Sequence, residues 1–455
     1  NPLSAVAPTS PIEDSPYLPT SRRFLNPVYL RVEETPGADR VTAQLAALGA
    51  AARRLNTDRL IDRGAVNTLK LEALTLVHGA SPPPPDFRRW RRAQGDPLRR
   101  FATFCALAEE NGGDWHTWPA ELRSPTSPAI RRAARRLSAR VRFFAWLQWA
   151  LQLQMASAAE PLPLMQDLPI GVAPGGADVW ADQHLYADGF SVGAPPDLFN
   201  VAGQDWSQSP FHPWRLRAAG YAPLIAILRS AFRSSAALRI DHIMGLFRLY
   251  WIPRGSPPGD GVFVRYPADD ILDILALESV RARAYVVGED LGTVEPEVRE
   301  QMAARDILSY RLLWFEDGPT SSIPERSMTA VTTHDLPTVV GLWSGRDLEA
   351  QRAIGVTPNI EGTAEIQGRL ARVVGDAWEG TADEVIVAAY AALARSPSML
   401  VAAALEDAAE VIERPNMPGT TGERWPNWRR ALPRPLEDVL GSPLAERLAG
   451  ILRRE

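Results

Sequence analysis

The sequence predicts an α/β fold, a (β/α)8 barrel with helical insertion subdomains, on three observations. From Leu162 onward, short apolar or β-branched runs alternate with helical patterns, as parallel strands joined by crossover helices do. Three of those runs lead into a carboxylate: Leu238-Arg239-Ile240-Asp241, Tyr285-Val286-Val287-Gly288-Glu289 and Ala330-Val331-Thr332-Thr333-His334-Asp335. Neither a G-x-G-x-x-G nor a Walker loop follows any strand, which favours the barrel over an open doubly wound sheet. Acids at the carboxyl ends of buried parallel strands stand where barrels carry their active sites. Three of them, at nearly even intervals, point to one convergent carboxylate site and so to an enzyme.

In chain order, residues 1–35 are rich in Pro and Ser and read as loop, with short strand pieces near Phe24 to Val32. Residues 37–156 read as helical. Val41, Leu45, Leu48 and Ala52 form one apolar stripe, Leu98, Phe101, Cys105 and Ala108 a second, and Val141, Phe144 and Leu147 a third. Ser81 and the four prolines after it break this block with a stiff connector. Strands are expected near Leu164 to Ile170, Leu238 to Asp241, Ala284 to Glu289, Tyr310 to Phe315, Met328 to Thr333 and Met399 to Leu405. Helices are expected at Ala222 to Ser234, Asp269 to Arg281, Glu295 to Ala304 and Glu384 to Ala394. The stretch 171–221, rich in Trp, Pro and Gly, is too long for a plain connection and reads as an active-site loop insertion. The whole, residues 1–455, is read as one catalytic barrel domain carrying these two insertions.

Composition narrows the class. A chain of 455 residues is long for a plain barrel, which fits insertions. A net charge of −5 gives no reason to expect nucleic acid or an anionic membrane as partner. No apolar run approaches the ~18 residues of a membrane span. The single cysteine, Cys105, rules out an internal disulfide; among Phe101, Phe104 and Leu107 it reads as a buried thiol. Lys70 is the only lysine among 49 basic residues, which reads as codon bias.

The acids suit glycosidic chemistry, which needs one acid to protonate the leaving oxygen and one carboxylate to meet the developing oxocarbenium ion. Arg239 and Asp241 share a strand face, so the guanidinium would hold the aspartate ionised for nucleophilic attack. Glu289, after Val286, Val287 and Gly288, has the apolar setting of a general acid. His334 and Asp335 offer a donor and an acceptor for vicinal hydroxyls. Each acid also has a plain alternative: Asp241 as a helix cap or ion-pair partner, Glu289-Asp290 as a polar strand end, His334-Asp335 as part of a turn before Pro337. Asp241 with His242, or His334 with Asp335, could ligate a divalent cation, but neighbouring strand residues face opposite ways and each pair would supply one ligand; no metal is expected. Trp180, Phe199, Trp206, Phe211, Trp214, Tyr221, Tyr250 and Trp251 could stack on sugar rings, or half or more could simply pack the loop. Trp115 and Trp118 read as core.

Three segments make the likeness specific: Arg239-Ile240-Asp241-His242, Gly288-Glu289-Asp290-Leu291-Gly292 and Thr333-His334-Asp335-Leu336-Pro337-Thr338. With Ser15-Pro16-Tyr17, Asn26-Pro27, Phe101 to Pro119, Asp167-Leu168-Pro169-Ile170, Pro195-Pro196-Asp197, Asn416-Met417-Pro418-Gly419-Thr420 and Pro426-Asn427-Trp428-Arg429, the chain resembles the 4-α-glucanotransferases, or amylomaltases. These form family 77 of the glycoside hydrolases and are relatives of the α-amylases. The resemblance implies a retaining mechanism. In it Asp241 is the nucleophile, Glu289 the general acid/base and Asp335 the third carboxylate, which binds donor hydroxyls. It further implies that Arg239, His242 and His334 orient these groups, that Asp197, Gln204 and Trp206 arch over the cleft, and that Tyr17 contacts the sugar. The implied substrates are maltodextrins, the setting cytoplasmic, and no cofactor is needed. Asp241 and Glu289 would lie roughly 5–6 Å apart, as retention requires.

The chain departs from the common pattern at Leu198, where many relatives have Tyr, at Asp205-Trp206-Ser207-Gln208 and at Ile243-Met244. These changes resemble the branch that carries an additional N-terminal region. Relatives also place the first barrel strand just before the position of Asn1. Strands two to eight are therefore expected here, with a gap beside the Met399 to Leu405 strand and an upstream apolar strand in the natural polypeptide. No β-sandwich of the α-amylase kind is expected after the barrel.

Overall fold

A computed structural model describes residues 1–80, 82–196 and 202–453. These fall into two compact units, Asn1–Thr57 with Asp62–Val286, and Asp58–Ile61 with Val287–Glu455.

The first unit opens with β1 (Ser4–Ala5) and β2 (Ser21–Leu25), an antiparallel pair. The strand expected toward Val32 stops at Leu25. The Asn26 side chain accepts from the Val28 N–H at 3.0 Å, and Pro27 opens a 3-10 turn at that point. The predicted helical block follows, its longest members Pro85–Asn111 and Ser138–Ala159. Pro85, last of the proline run, stands at the first helical position, where its missing N–H costs nothing. Leu98, Phe101, Cys105 and Ala108 are buried as their spacing requires, and burial raises the Cys105 thiol pKa well above its usual value. Trp118 is core too, packed with Phe104 and Trp180 at centroid distances of 5.1–5.9 Å.

β3 (Met165–Leu168) then begins the parallel ladder. The stretch 171–221 is more ordered than a loop. It holds helices Ala177–Ala181 and Pro213–Ala218, with β4 (Phe190–Ala194) and β5 (Gln204–Gln208) between them. β5 reads Gln-Asp-Trp-Ser-Gln and offers no apolar run. It is a strand because β4 presents a hydrogen-bonding edge, and a side chain on Gly193 would collide with the Gln204 carbonyl. After β6 (Ala237–Ile240), the hairpin of β7 (Arg248–Pro253) and β8 (Val262–Arg265) completes an antiparallel sheet in the order β5-β4-β7-β8. β3 and β6 pair in parallel, and the Tyr285 N–H donates to Ala236 O along the other edge of β6.

Tyr285 starts β9 (Tyr285–Gly288), whose last two residues belong to the second unit. There β9 pairs with β10 (Leu308–Leu312), β10 with β11 (Ser327–Ala330), and β11 with β12 (Leu400–Ala402), all parallel. Among the described residues the parallel strands number six, those read from Leu164 onward and one fewer than the seven that strands two to eight would make; residues 1–35 contribute only the antiparallel pair. Helices Ala222–Ala231, Ala268–Ala282, Pro296–Ala303 and Ala382–Ala394 stand where predicted. Helices Val339–Trp343, Arg346–Ala353 and Ile360–Val374 were not read from the sequence. After β12 the described residues form helices and irregular segments, with no β-sandwich. No helix among them is long and apolar enough to cross a membrane.

Candidate active site

In the first unit the parallel register sets Asp167 on β3 beside Arg239 on β6, and Asp241 continues the ladder through its N–H to Leu168 O at 3.1 Å. Residues two apart on a strand share a face, so Arg239 meets both acids. Its guanidinium donates to Asp167 Oδ1 at 2.7 Å and to Asp241 Oδ1 at 3.1 Å. The Tyr17 hydroxyl donates to Asp167 Oδ2 at 2.5 Å. Burial alone would lift the Asp167 carboxyl, but it is held below the usual range, with the Arg239 charge the largest opposing effect and the Tyr17 bond acting in the same sense. Burial, reinforced by Asp167, raises the Tyr17 hydroxyl well above its usual value, so Tyr17 remains a donor. The result is a pre-oriented Asp241 whose arginine is itself anchored by a second, buried acid.

His242 leaves the strand in the left-handed region, at φ 45° and ψ 65°, which few β-carbon residues adopt without support. Its ring meets Trp206 edge-on, with centroids 5.3 Å apart, and the Trp206 indole N–H donates to Gln204 Oε1 at 3.0 Å. Burial, then the nearby Arg248, push the His242 imidazole down to about 4, so it is neutral at physiological pH. Asp197, expected in the same arch, lies outside the described residues, as do Leu198 and Phe199. Of the other aromatics, Trp180, Phe211, Tyr221, Tyr250 and Trp251 are buried and pack the fold, while Trp214 is exposed. Among its described members the aromatic set is mostly structural, and Trp206 touches a site residue.

In the second unit Glu289 and Asp290 divide two tasks. Asp290 is buried. It accepts from the Tyr310 N–H at 2.8 Å, the Ser309 hydroxyl at 2.7 Å and Arg299 Nε at 2.9 Å, which fastens the end of β9 to the start of β10. Glu289, the neighbouring residue, points the other way, and its Oε1 accepts from the Leu291 N–H at 2.9 Å.

His334 Nε2 lies 3.5 Å from Asp335 Oδ2. The pair is gripped by a segment some eighty residues downstream. Asn416 Nδ2 donates to Asp335 Oδ1 at 2.7 Å, the Asn416 N–H donates to His334 O at 3.1 Å, and Arg414 donates to Asp335 O at 3.0 Å. Arg414 is fixed in turn by a bidentate pair with the buried Asp347, and the Trp428 ring stands 5.0 Å from that of His334. Asp167, Arg414 and Asn416 are site residues that sequence reasoning missed. The signal for Asp167 was its place on the neighbouring strand; for Asn416 it was a motif whose role no spacing reveals. Among the described residues, no group of three or more His, Cys, Asp or Glu could hold a metal ion.

The sequence model of the family described as 4-alpha-glucanotransferase matches residues 1–436. The chain is 42% identical to the 4-alpha-glucanotransferase of Mycobacterium tuberculosis, over 98% of this chain and 67% of that protein. It is 32% identical to the same enzyme of Haemophilus influenzae, over 97% of this chain and 71% of that one. Among solved structures, the amylomaltase from Corynebacterium glutamicum matches with a TM-score of 0.87 at 33% identity, covering the whole of this chain and 69% of its own. The amylomaltase from Streptococcus agalactiae shares the fold, with a TM-score of 0.76 at 16% identity. With an arginine-anchored aspartate directly after β6 and further acids following β9 and β11, the chain belongs to the 4-alpha-glucanotransferase family of enzymes acting on α-1,4-glucans.

Proposed function

We propose that Asp241 is the nucleophile of a retaining transfer between α-1,4-glucans, with Glu289 as general acid/base and Asp335 as the acid that grips the donor ring. A donor maltodextrin presents its anomeric carbon to Asp241. The carboxylate forms the glucosyl ester as Glu289 protonates the departing 4-oxygen. Glu289 then takes the proton from the 4-hydroxyl of an acceptor glucan or glucose, whose oxygen displaces Asp241 and restores the α-linkage. Asp335 and His334 hold donor hydroxyls, with Tyr17, His242, Gln204, Trp206 and Asp197 around the sugar. The observation that carries this reading is the Arg239 bridge between Asp167 and Asp241, which favours an ionised, aimed carboxylate.

On this reading residues 1–455 work as one catalytic domain, because Asp241 and the other two acids serve the same sugar. The single buried cysteine and the implied glucan substrates fit a cytoplasmic enzyme. Incubation with maltotriose alone tests the reaction. Glucose with a ladder of longer maltodextrins is expected. Maltose and glucose with no longer product would identify a hydrolase.

A further inference from the structure

We propose that a second cavity in the first unit, across the sheet from Asp241, binds a phosphorylated sugar. The cavity has a volume of about 430 Å³ and lies among helices Pro85–Asn111, Ser138–Ala159 and Ala222–Ala231 and strand β3. Its lining includes Arg23, Arg229 and Arg233 and not one carboxylate. Gln94, Gln166 and Trp90 face the same space.

The three arginines are not equally spent. Arg229 is held by Glu278 through two bonds of 2.9 Å, and Arg281 shares that same carboxylate. Arg233 donates to the neutral Gln152 Oε1 at 2.9 Å and has no ion pair among the described residues. Arg23 likewise has none, although Asp178 and Asp182 are near enough to act on it electrostatically. Arg23 and Arg233 also repel one another, and burial lowers the pKa of both guanidinium groups. Two like-charged guanidinium groups bordering a cavity whose lining holds no carboxylate are relieved by an anion between them, and a guanidinium's fork of N–H groups matches phosphate.

The rest of the lining argues for more than a bare anion. A free phosphate would leave much of the cavity unfilled, whereas small-ligand pockets begin at about 300 Å³. Side-chain amides both donate and accept, which suits the vicinal hydroxyls of a pyranose, and Gln94 and the buried Gln166 offer two of them. The Trp90 indole N–H is already taken by Gln152 at 2.7 Å, so the residue serves the cavity as an apolar wall. Gln166 adjoins Asp167 on β3. Because neighbouring strand residues face opposite ways, the cavity and the Asp167–Arg239–Asp241 group lie on opposite faces of one strand.

Calorimetric titration of the 455-residue protein with glucose 6-phosphate, glucose 1-phosphate, glucose and inorganic phosphate tests the proposal. One of the two sugar phosphates is expected to bind saturably, at least tenfold more tightly than glucose or phosphate, and to raise Tm by several degrees. Arg233→Gln, an exposed substitution, should weaken that binding tenfold or more without lowering the Tm of the free protein. Arg23→Gln provides a second, independent variant with the same expected loss. No saturable binding of either sugar phosphate at 10 mM overturns the proposal. Equal affinity for glucose removes the anion site, equal affinity for inorganic phosphate removes the sugar, and undiminished binding in both variants places the ligand elsewhere.

Discussion

At the residue scale, the chemistry rests on how Arg239 divides itself. One guanidinium nitrogen reaches Asp167 at 2.7 Å and Asp241 at 3.1 Å, and Asp167 is fixed again by the Tyr17 hydroxyl. The two N–H groups of that nitrogen lie in the guanidinium plane and point in fixed directions, whereas an ammonium can donate twice but turns freely on a flexible stem. Arg239→Lys therefore keeps the charge and loses the aim. Steady-state transfer from maltotriose should show kcat reduced by about 10²-fold, with KM changed much less, because a misplaced nucleophile is felt in the transition state more than in ground-state binding. An unchanged kcat would show that charge alone suffices. This is also where the sequence was least complete. The i, i+2 relation of Arg239 and Asp241 was legible in four consecutive residues. The contribution of Asp167 was not, since it depends on the parallel register of two strands far apart in the chain.

At the scale of elements, two buried carboxylates fasten neighbouring elements together, Asp290 at a strand end and Asp407 between helices. Asp290 ties β9 to β10 through two donors, the Ser309 hydroxyl and the Tyr310 N–H, and to helix Pro296–Ala303 through Arg299. Asp290→Ala orphans the Tyr310 N–H and the Ser309 hydroxyl, while the half-exposed Arg299 can turn to water. Urea denaturation should show a loss of about 2–4 kcal/mol. Asp407 accepts from the Val339 N–H at 3.0 Å and the Tyr390 hydroxyl at 2.8 Å, and burial pushes its pKa up to about 6. A carboxyl whose folded pKa is raised contributes stability below its unfolded value near ~3.9, and that stability is lost as pH rises through about 6. The stability of Asp407→Asn relative to the parent should therefore improve from pH 4 to pH 7, by roughly 3 kcal/mol. His242, pushed down to about 4, acts in the opposite sense in both proteins and cancels from the difference. A flat difference would mean that Asp407 titrates normally. Elements of the parallel ladder were legible because buried parallel strands are written as short apolar runs. β4 and β5 were not: β4 is short and broken by Ser191 and Gly193, and β5 is polar but for Trp206 and becomes a strand only against the edge of β4. Helix Arg346–Ala353 carries too few apolar positions for a clear stripe, whereas the stripe of Ile366, Leu370 and Val374 in Ile360–Val374 was legible and missed.

At the scale of the whole molecule, the acids are shared out between the two compact units, with Asp241 in the first and Glu289 and Asp335 in the second. Each acid has its own support. Arg239 and Asp167 stand behind Asp241, Asp290 behind Glu289, and Asn416 and Arg414 behind Asp335. The central claim is that Asp241 carries the glucosyl group during transfer, and covalent trapping addresses it most directly. In Glu289→Gln the proton for an oxygen leaving group is gone, but fluoride departs without one. Treating that variant with α-glucosyl fluoride and mapping the modified peptide by mass spectrometry should locate one glucosyl unit on Asp241, and the label should be absent when Asp241 is also changed to Ala. A glucosyl group on any other residue, or a label that survives Asp241→Ala, would contradict the account.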